Sequence, residues 1–160
     1  MKHRELCEEA AKWLLKQNKI NLVSFELGWS NGVFDAIGIT LPDKNIIDPR
    51  ICIIEVKRTR ADLLQDLNNK KMLKYEKHGT HVYLALGPEF SSSILDELPK
   101  LGLPNHWGVL LFTKEGFVSI RNAKVIKKAS QTELNRLTKK IALSYMYRVL
   151  SPHSPLELKD

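Results

Sequence analysis

At 160 residues the chain has the length of one average domain, enough to bury about 68–70% of the surface its unfolded form exposes. A hydrophobic content of 43% and a charged content of 27% match soluble globular proteins and exclude both a disordered chain and a membrane-embedded one. Apolar runs such as Gly108–Phe112 fall far short of the roughly 20 residues that cross a bilayer.

The opening Met1-Lys2-His3-Arg4-Glu5 enters a charged amphipathic pattern and lacks the apolar core of a secretory signal, which predicts an intracellular, cytoplasmic protein. Cys7 and Cys52 sit inside apolar patterns far apart in sequence, as expected of reduced, buried cysteines rather than a disulfide framework or a zinc site. The formal net charge is +7, and residues 121 to 148 alone set eight basic side chains against Glu133. Positive charge concentrated in this way suits a polyanion partner, with nucleic acid the leading candidate; a solvated helix face is the competing explanation.

In chain order, Leu6, Ala10, Trp13, Leu14 and Gln17 recur at helical spacing and predict a helix over residues 3 to 17. Glu5, Glu9, Lys12 and Lys16 line one flank of its apolar face. Leu22–Glu26 and Val33–Thr40 read as strands joined across Trp29-Ser30-Asn31-Gly32. After a polar loop from Pro42 to Pro49, Ile51–Val56 is an apolar run suited to a central strand buried on both faces. Thr59 and Asp62 resemble a capping box for a helix carrying Leu63, Leu64 and Leu67. Asn68-Asn69 breaks that helix, and a looser pattern continues through Lys77. Val82–Leu86 is a further buried strand, Ser91–Leu98 a short helix, and Trp107–Phe112 with Phe117–Ile120 a strand pair. A long helix over Thr132–Leu150 presents Leu134, Leu137, Ile141, Tyr145 and Val149 on one side and Arg136, Lys139, Lys140 and Tyr147 on the other. The docked apolar stripe would leave the basic side free for phosphates, or Leu143 and Tyr147 free for a homodimer contact. Ser151–Asp160, with two prolines, reads as a loosely held tail.

Asp35 and Glu55-Val56-Lys57 carry the chemistry. Residues two apart in a strand project to the same side, so Glu55 and Lys57 point together at the end of an apolar strand. A buried carboxylate and ammonium there are costly unless something uses them. Asp35 is a lone acid one strand earlier, and if the strands are neighbours both carboxylates converge. Two such carboxylates form a hard-oxygen site suited to Mg²⁺ or Mn²⁺, with a lysine beside it to orient water. His78 and His81 lack further ligands at metal spacing, and a turn before a strand accounts for them better.

An Asp on one strand, twenty residues before Glu-x-Lys on the next and within an α-β-β-β-α-β order, resembles the PD-(D/E)xK nuclease superfamily, although Phe34 stands where that name has proline. The continuation through Asp62 and Asp66, then Lys71 and Tyr75 beyond a short insertion near Asn68-Asn69, resembles the MmcB-like branch of bacterial and phage proteins associated with DNA repair. The resemblance spans roughly residues 3 to 120. It implies a restriction-endonuclease-like α/β fold, with a mixed central sheet flanked by helices and the basic helix appended. Residues 1 to 150 would form a single nuclease-like domain. By the same resemblance Asp35, Glu55 and the Val56 carbonyl would hold Mg²⁺ or Mn²⁺, and Lys57 would serve the attacking water. The first helix would add a glutamate, Glu9 in preference to Glu5, and Glu26 is a further candidate from the first strand. DNA would be the partner, met by Arg58, Arg60 and Lys71 and by Arg136, Lys139 and Lys140. The leading expectation is a metal-dependent DNA endonuclease. The alternatives are a catalytically silent nucleic-acid-binding module of the same fold, and a metabolic or regulatory protein in which the trio is a structural salt bridge.

Overall fold

An apolar run without a polar face can be buried only from both sides, and Ile51–Lys57 accordingly forms strand β3 inside a six-stranded sheet, all seven residues buried. The computed structural model describes residues 1–29 and 32–150. Ser30 and Asn31 of the expected turn, and the expected tail over 151–160, lie outside the described residues. The elements run α1 (His3–Leu15), β1 (Leu22–Trp29), β2 (Gly32–Ile39), β3, α2 (Arg60–Asn68), a 3₁₀ segment Lys71–Lys77, β4 (His81–Leu86), α3 (Ile94–Glu97), β5 (Gly108–Thr113), β6 (Gly116–Arg121) and α4 (Gln131–Leu150). The sheet order is β1-β2-β3-β4-β5-β6. β3, β4 and β5 run parallel, while β1/β2, β2/β3 and β5/β6 pair antiparallel. The mixed sheet flanked by helices is the expected restriction-endonuclease-like α/β architecture.

Each face of the sheet has its own core. Leu6, Cys7, Ala10 and Leu14 of α1 pack on Ala36, Cys52, Ile54 and Val56. Ile51, Ile53, Val82, Leu84, Leu63, Leu137 and Ile141 are among those filling the other face, under α2 and α4. Burying a side chain such as Leu14 contributes about 1.5–3 kcal/mol, so a helix carrying several is held firmly. α2 starts at Thr59, whose hydroxyl accepts the Asp62 amide, as the sequence suggests. The break expected at Asn68-Asn69 is real. Lys70 turns left-handed, with φ of 53°, and the chain resumes as the 3₁₀ segment.

The docking of α4 departs from expectation. Leu134, Leu137 and Ile141 are buried, but Lys140 and Ser144 join them, while Tyr145 and Val149 are exposed. Beyond Ile141 the contact line turns toward Ser144 and Arg148, whose guanidinium donates to the Phe25 carbonyl oxygen on β1. The basic side is therefore divided. Lys139 is exposed, Arg136 lies over the Trp29 ring at 4.6 Å, and Lys140 is buried with its ammonium 4.4 Å from the centroid of the same ring.

Candidate active site

The site forms where two antiparallel strands part. β2 and β3 are in register from Ile39↔Ile51 to Ala36↔Ile54, and the next pair, Asp35 and Glu55, leaves the ladder. The Asp35 carboxylate takes over, its Oδ2 accepting the Val56 amide at 2.8 Å. Both acids are buried, Asp35 at 9% and Glu55 at 7% exposure. On the other side of Asp35, the Phe25↔Ala36 and Leu27↔Phe34 pairs flank a gap where Glu26 faces it. Glu26 has φ of 50°, a left-handed backbone that a non-glycine residue adopts at a cost of about 1–3 kcal/mol. This kink changes the phase of β1. Val23 and Phe25 pack on the α1 side of the sheet, whereas Leu27 and Trp29 pack on the opposite side.

Glu55 and Lys57 point together, as strand alternation requires. Lys57 Nζ donates to Glu55 Oε1 at 2.7 Å and also to Asp66 Oδ2 from α2. Burial pushes the Glu55 carboxyl above the usual carboxylate range, Asp35 adds to the rise, and the Lys57 ammonium pulls against it. Burial opposes the charge on Lys57, but Glu55 and Asp66 outweigh it and hold the ammonium above its ordinary value. Burial, then Glu55, Asp35 and Asp66, keep the Tyr75 phenol protonated, and its hydroxyl donates to the Val33 carbonyl oxygen at 3.4 Å. The other oxygen of Glu55, Oε2, is buried with no donor in good hydrogen-bonding geometry, and the Tyr75 hydroxyl is the group that interacts with this carboxylate. An anionic oxygen buried without a donor is expensive. A cation bound between Glu55 and Asp35 removes that cost, so the residues present fit a hard divalent ion.

The first helix contributes differently from expectation. Glu9 pairs with Lys12 at 2.6 Å and lies beside Gly116 at the β5–β6 turn, and Glu5 accepts the Lys2 amide at 2.7 Å. Neither carboxylate is brought to Asp35. The α1 face turned toward Asp35 carries His3 instead, with Nε2 3.6 Å from Asp35 Oδ2. The Asp35 carboxylate raises the His3 pKa despite partial burial, with the Val56 backbone and Glu55 adding to the rise. Sequence reasoning missed His3 because its signal, a four-residue spacing from Cys7 on one helical face, becomes visible only once that face has a destination.

Of the expected phosphate contacts, Arg58 and Lys71 are exposed, and Arg60 forms an exposed ion pair with Glu97 at 2.6 Å. Beside the site, Trp29, Phe34, Tyr75 and His78 line a recess together with Lys74 and Lys77. His78 sits 3.6 Å from Glu133, and His81 hydrogen-bonds Thr80 at 2.8 Å, so the two histidines do not converge.

No protein-family model matches the chain, and no curated protein is recognisably similar to it. Among solved structures it is similar to the SPO1766 protein of Silicibacter pomeroyi, a protein of unknown function, with a TM-score of 0.66 and 20% identity over 99% of both chains. At that identity the likeness establishes the fold alone. The DNA modification-dependent restriction endonuclease AspBHI aligns with a TM-score of 0.36 and 18% identity over 88% of this chain and 35% of its own. Pyrococcus furiosus SfsA, in complex with Ca²⁺, aligns with a TM-score of 0.34 and 10% identity over 76% and 61%. Neither of these two likenesses is close enough to carry an argument. No described helix is long and apolar enough to cross a membrane.

Proposed function

We propose that the chain is a Mg²⁺- or Mn²⁺-dependent deoxyribonuclease that hydrolyses phosphodiester bonds in DNA, in repair, recombination or phage DNA processing. The observation that carries the reading is the pair of buried carboxylates, Asp35 and Glu55, brought together where β2 and β3 part and set next to a lysine already held charged. Asp35, Glu55 and the Val56 carbonyl would hold the ion. Such an ion supplies Lewis acidity toward a phosphoryl oxygen and makes a nearby water easier to deprotonate.

The rest is done by this chain. Lys57, kept as an ammonium by Glu55 and Asp66, is a donor and not a general base. Its role is to orient the attacking water and to offset negative charge growing on the phosphoryl oxygens. Asp66 holds that ammonium in place from α2. Its position nine residues after Lys57 is what supports assigning the chain to the MmcB-like branch. The recess lined by Trp29, Phe34 and Tyr75, with Lys74 and Lys77 at hand, offers aromatic faces for bases and charges for phosphates.

A panel of labelled DNA structures incubated with Mg²⁺ or Mn²⁺ tests the proposal. Cleavage is expected with either ion, binding without turnover with Ca²⁺, and no cleavage by Glu55→Gln. Full activity in EDTA, or in Glu55→Gln, would refute it.

A further inference from the structure

Below the N-terminus of α1, His3, Cys7 and Glu26 bring one nitrogen, one sulfur and one oxygen within 4.8 Å of one another. His3 and Cys7 are four residues apart on one helical face, which stacks their side chains. Glu26 reaches them from β1 through its left-handed backbone. We propose that these three residues form a second metal site, for a borderline transition ion of the Zn²⁺ class, separate from the hard-oxygen pair Asp35 and Glu55.

The donor set decides the class. Thiolate and imidazole ligands favour Zn²⁺ and its neighbours and discriminate against Mg²⁺, which prefers oxygen. Spacing agrees. With the usual Zn–S and Zn–N lengths, a sulfur and a nitrogen on one tetrahedral ion stand about 3.5 Å apart, and Cys7 Sγ lies 3.5 Å from His3 Nδ1. The other ring nitrogen, Nε2, faces Asp35 Oδ2 at 3.6 Å. A carboxylate behind the far nitrogen is the usual support of a metal-bound histidine, fixing its tautomer and raising its basicity. Three protein ligands leave a fourth position for water or a ligand. Access is through His3, whose side chain is 47% exposed, since Cys7 itself is buried.

Binding a metal displaces the proton of the Cys7 thiol. Asp35 belongs to both sites, as a ligand at one and as the support of His3 at the other. This coupling rests on the proposed function, whereas the His3–Cys7–Glu26 site does not.

Co²⁺ titration of the full chain, freed of any histidine tag, tests the site by absorption. A thiolate-to-cobalt charge-transfer band is expected in the native protein and in Cys52→Ser, and is lost in Cys7→Ser. Zn²⁺ should displace the cobalt and raise the melting temperature. His3→Ala and Glu26→Gln should each weaken Zn²⁺ binding about tenfold or more, and Asp35→Asn about 10–100-fold through His3. A native protein with no band, or a band that survives Cys7→Ser, overturns the proposal. Because Cys7→Ser removes a buried sulfur, its fold is checked by circular dichroism. If it unfolds, the cobalt affinity read from the band in Glu26→Gln, which leaves α1 intact, decides the question: a loss of about tenfold or more is expected, and an unchanged affinity overturns the proposal. A cobalt–thiolate band in a protein that cleaves no DNA would sink the nuclease reading and leave this site standing.

Discussion

At the scale of the residue, Lys57 is tied to two carboxylates, which gives it structural as well as chemical consequences. Without it, Glu55 Oε1 loses its donor and Asp66 loses its partner, in a place where breaking a buried pair costs several kcal/mol. Glu55 can lower that cost by taking up a proton, since burial already favours its neutral form. Lys57→Ala is therefore expected to lose most of its cleavage rate and, without metal, about 1–3 kcal/mol of stability. Mg²⁺ should restore part of the stability but none of the rate. Melting curves with and without Mg²⁺, run beside the rate assay, check both. An unchanged rate with a lowered melting temperature would make Lys57 structural only. Glu26 is the opposite kind of residue, since its left-handed backbone carries a cost of its own. Glu26→Gly should leave folding stability unchanged or raise it by up to about 1 kcal/mol, because glycine adopts φ near +50° without strain. A loss beyond about 1 kcal/mol in urea unfolding would show that the Glu26 side chain, rather than its backbone, matters for stability.

At the scale of the element, β4 begins with a histidine that folding keeps neutral. His81 is buried, and burial first, then the charge of Arg50, lowers its pKa from 6.5 to about 4. A histidine whose folded pKa is depressed stabilises the fold above its ordinary value. That contribution is lost as pH falls from about 6.5 through about 4, because the unfolded chain binds the proton more readily. Urea midpoints should fall across this window in the native protein and fall less in His81→Gln. Equal slopes in the two proteins would remove His81 as the source. Helix α1 is held chiefly by its apolar face, with Leu14 fully buried. Leu14→Ala should cost about 2–5 kcal/mol and loosen the docking that carries His3 to Asp35.

At the scale of the whole molecule, the basic side of α4 is divided, and further positive charge borders the recess that Trp29 lines. The helix α4 was expected to present Arg136, Lys139 and Lys140 together, but Arg136 and Lys140 lie over Trp29, and Lys140 is buried while Arg136 and Lys139 are exposed. Lys74 and Lys77 border the aromatic recess beside the site. For DNA binding, changing Lys74 and Lys77 to Gln should flatten the salt dependence of log K by up to about 1.8, the value for two phosphates. The triple change of Arg136, Lys139 and Lys140 to Gln should flatten it by less than the roughly 3 units expected of three free cations, and should also lower the melting temperature by removing two charges stacked on Trp29. A salt slope unaffected by Lys74 and Lys77 would place the DNA elsewhere. Leu143 and Tyr147, the expected dimer contact, are exposed.

Local chemistry made much of this protein legible from its sequence. The buried run of β3, the Thr59 cap, the break at Asn68-Asn69 and the shared side of Glu55 and Lys57 all follow from side-chain alternation, turn chemistry and the cost of burying charge. These act over a few residues, so the sequence by itself determined them. Which acid or base α1 delivers was decided by tertiary structure, because Glu9 and His3 both lie on a plausible helical flank and only the docking angle chooses between them. The same holds for Lys140, which helical periodicity assigns to solvent but the turn of α4 over Trp29 buries. Glu26 is the clearest case. Nothing local favours a left-handed glutamate inside a strand, and its conformation persists because the packing of Phe25 on one face of the sheet and Leu27 on the other outweighs the strain.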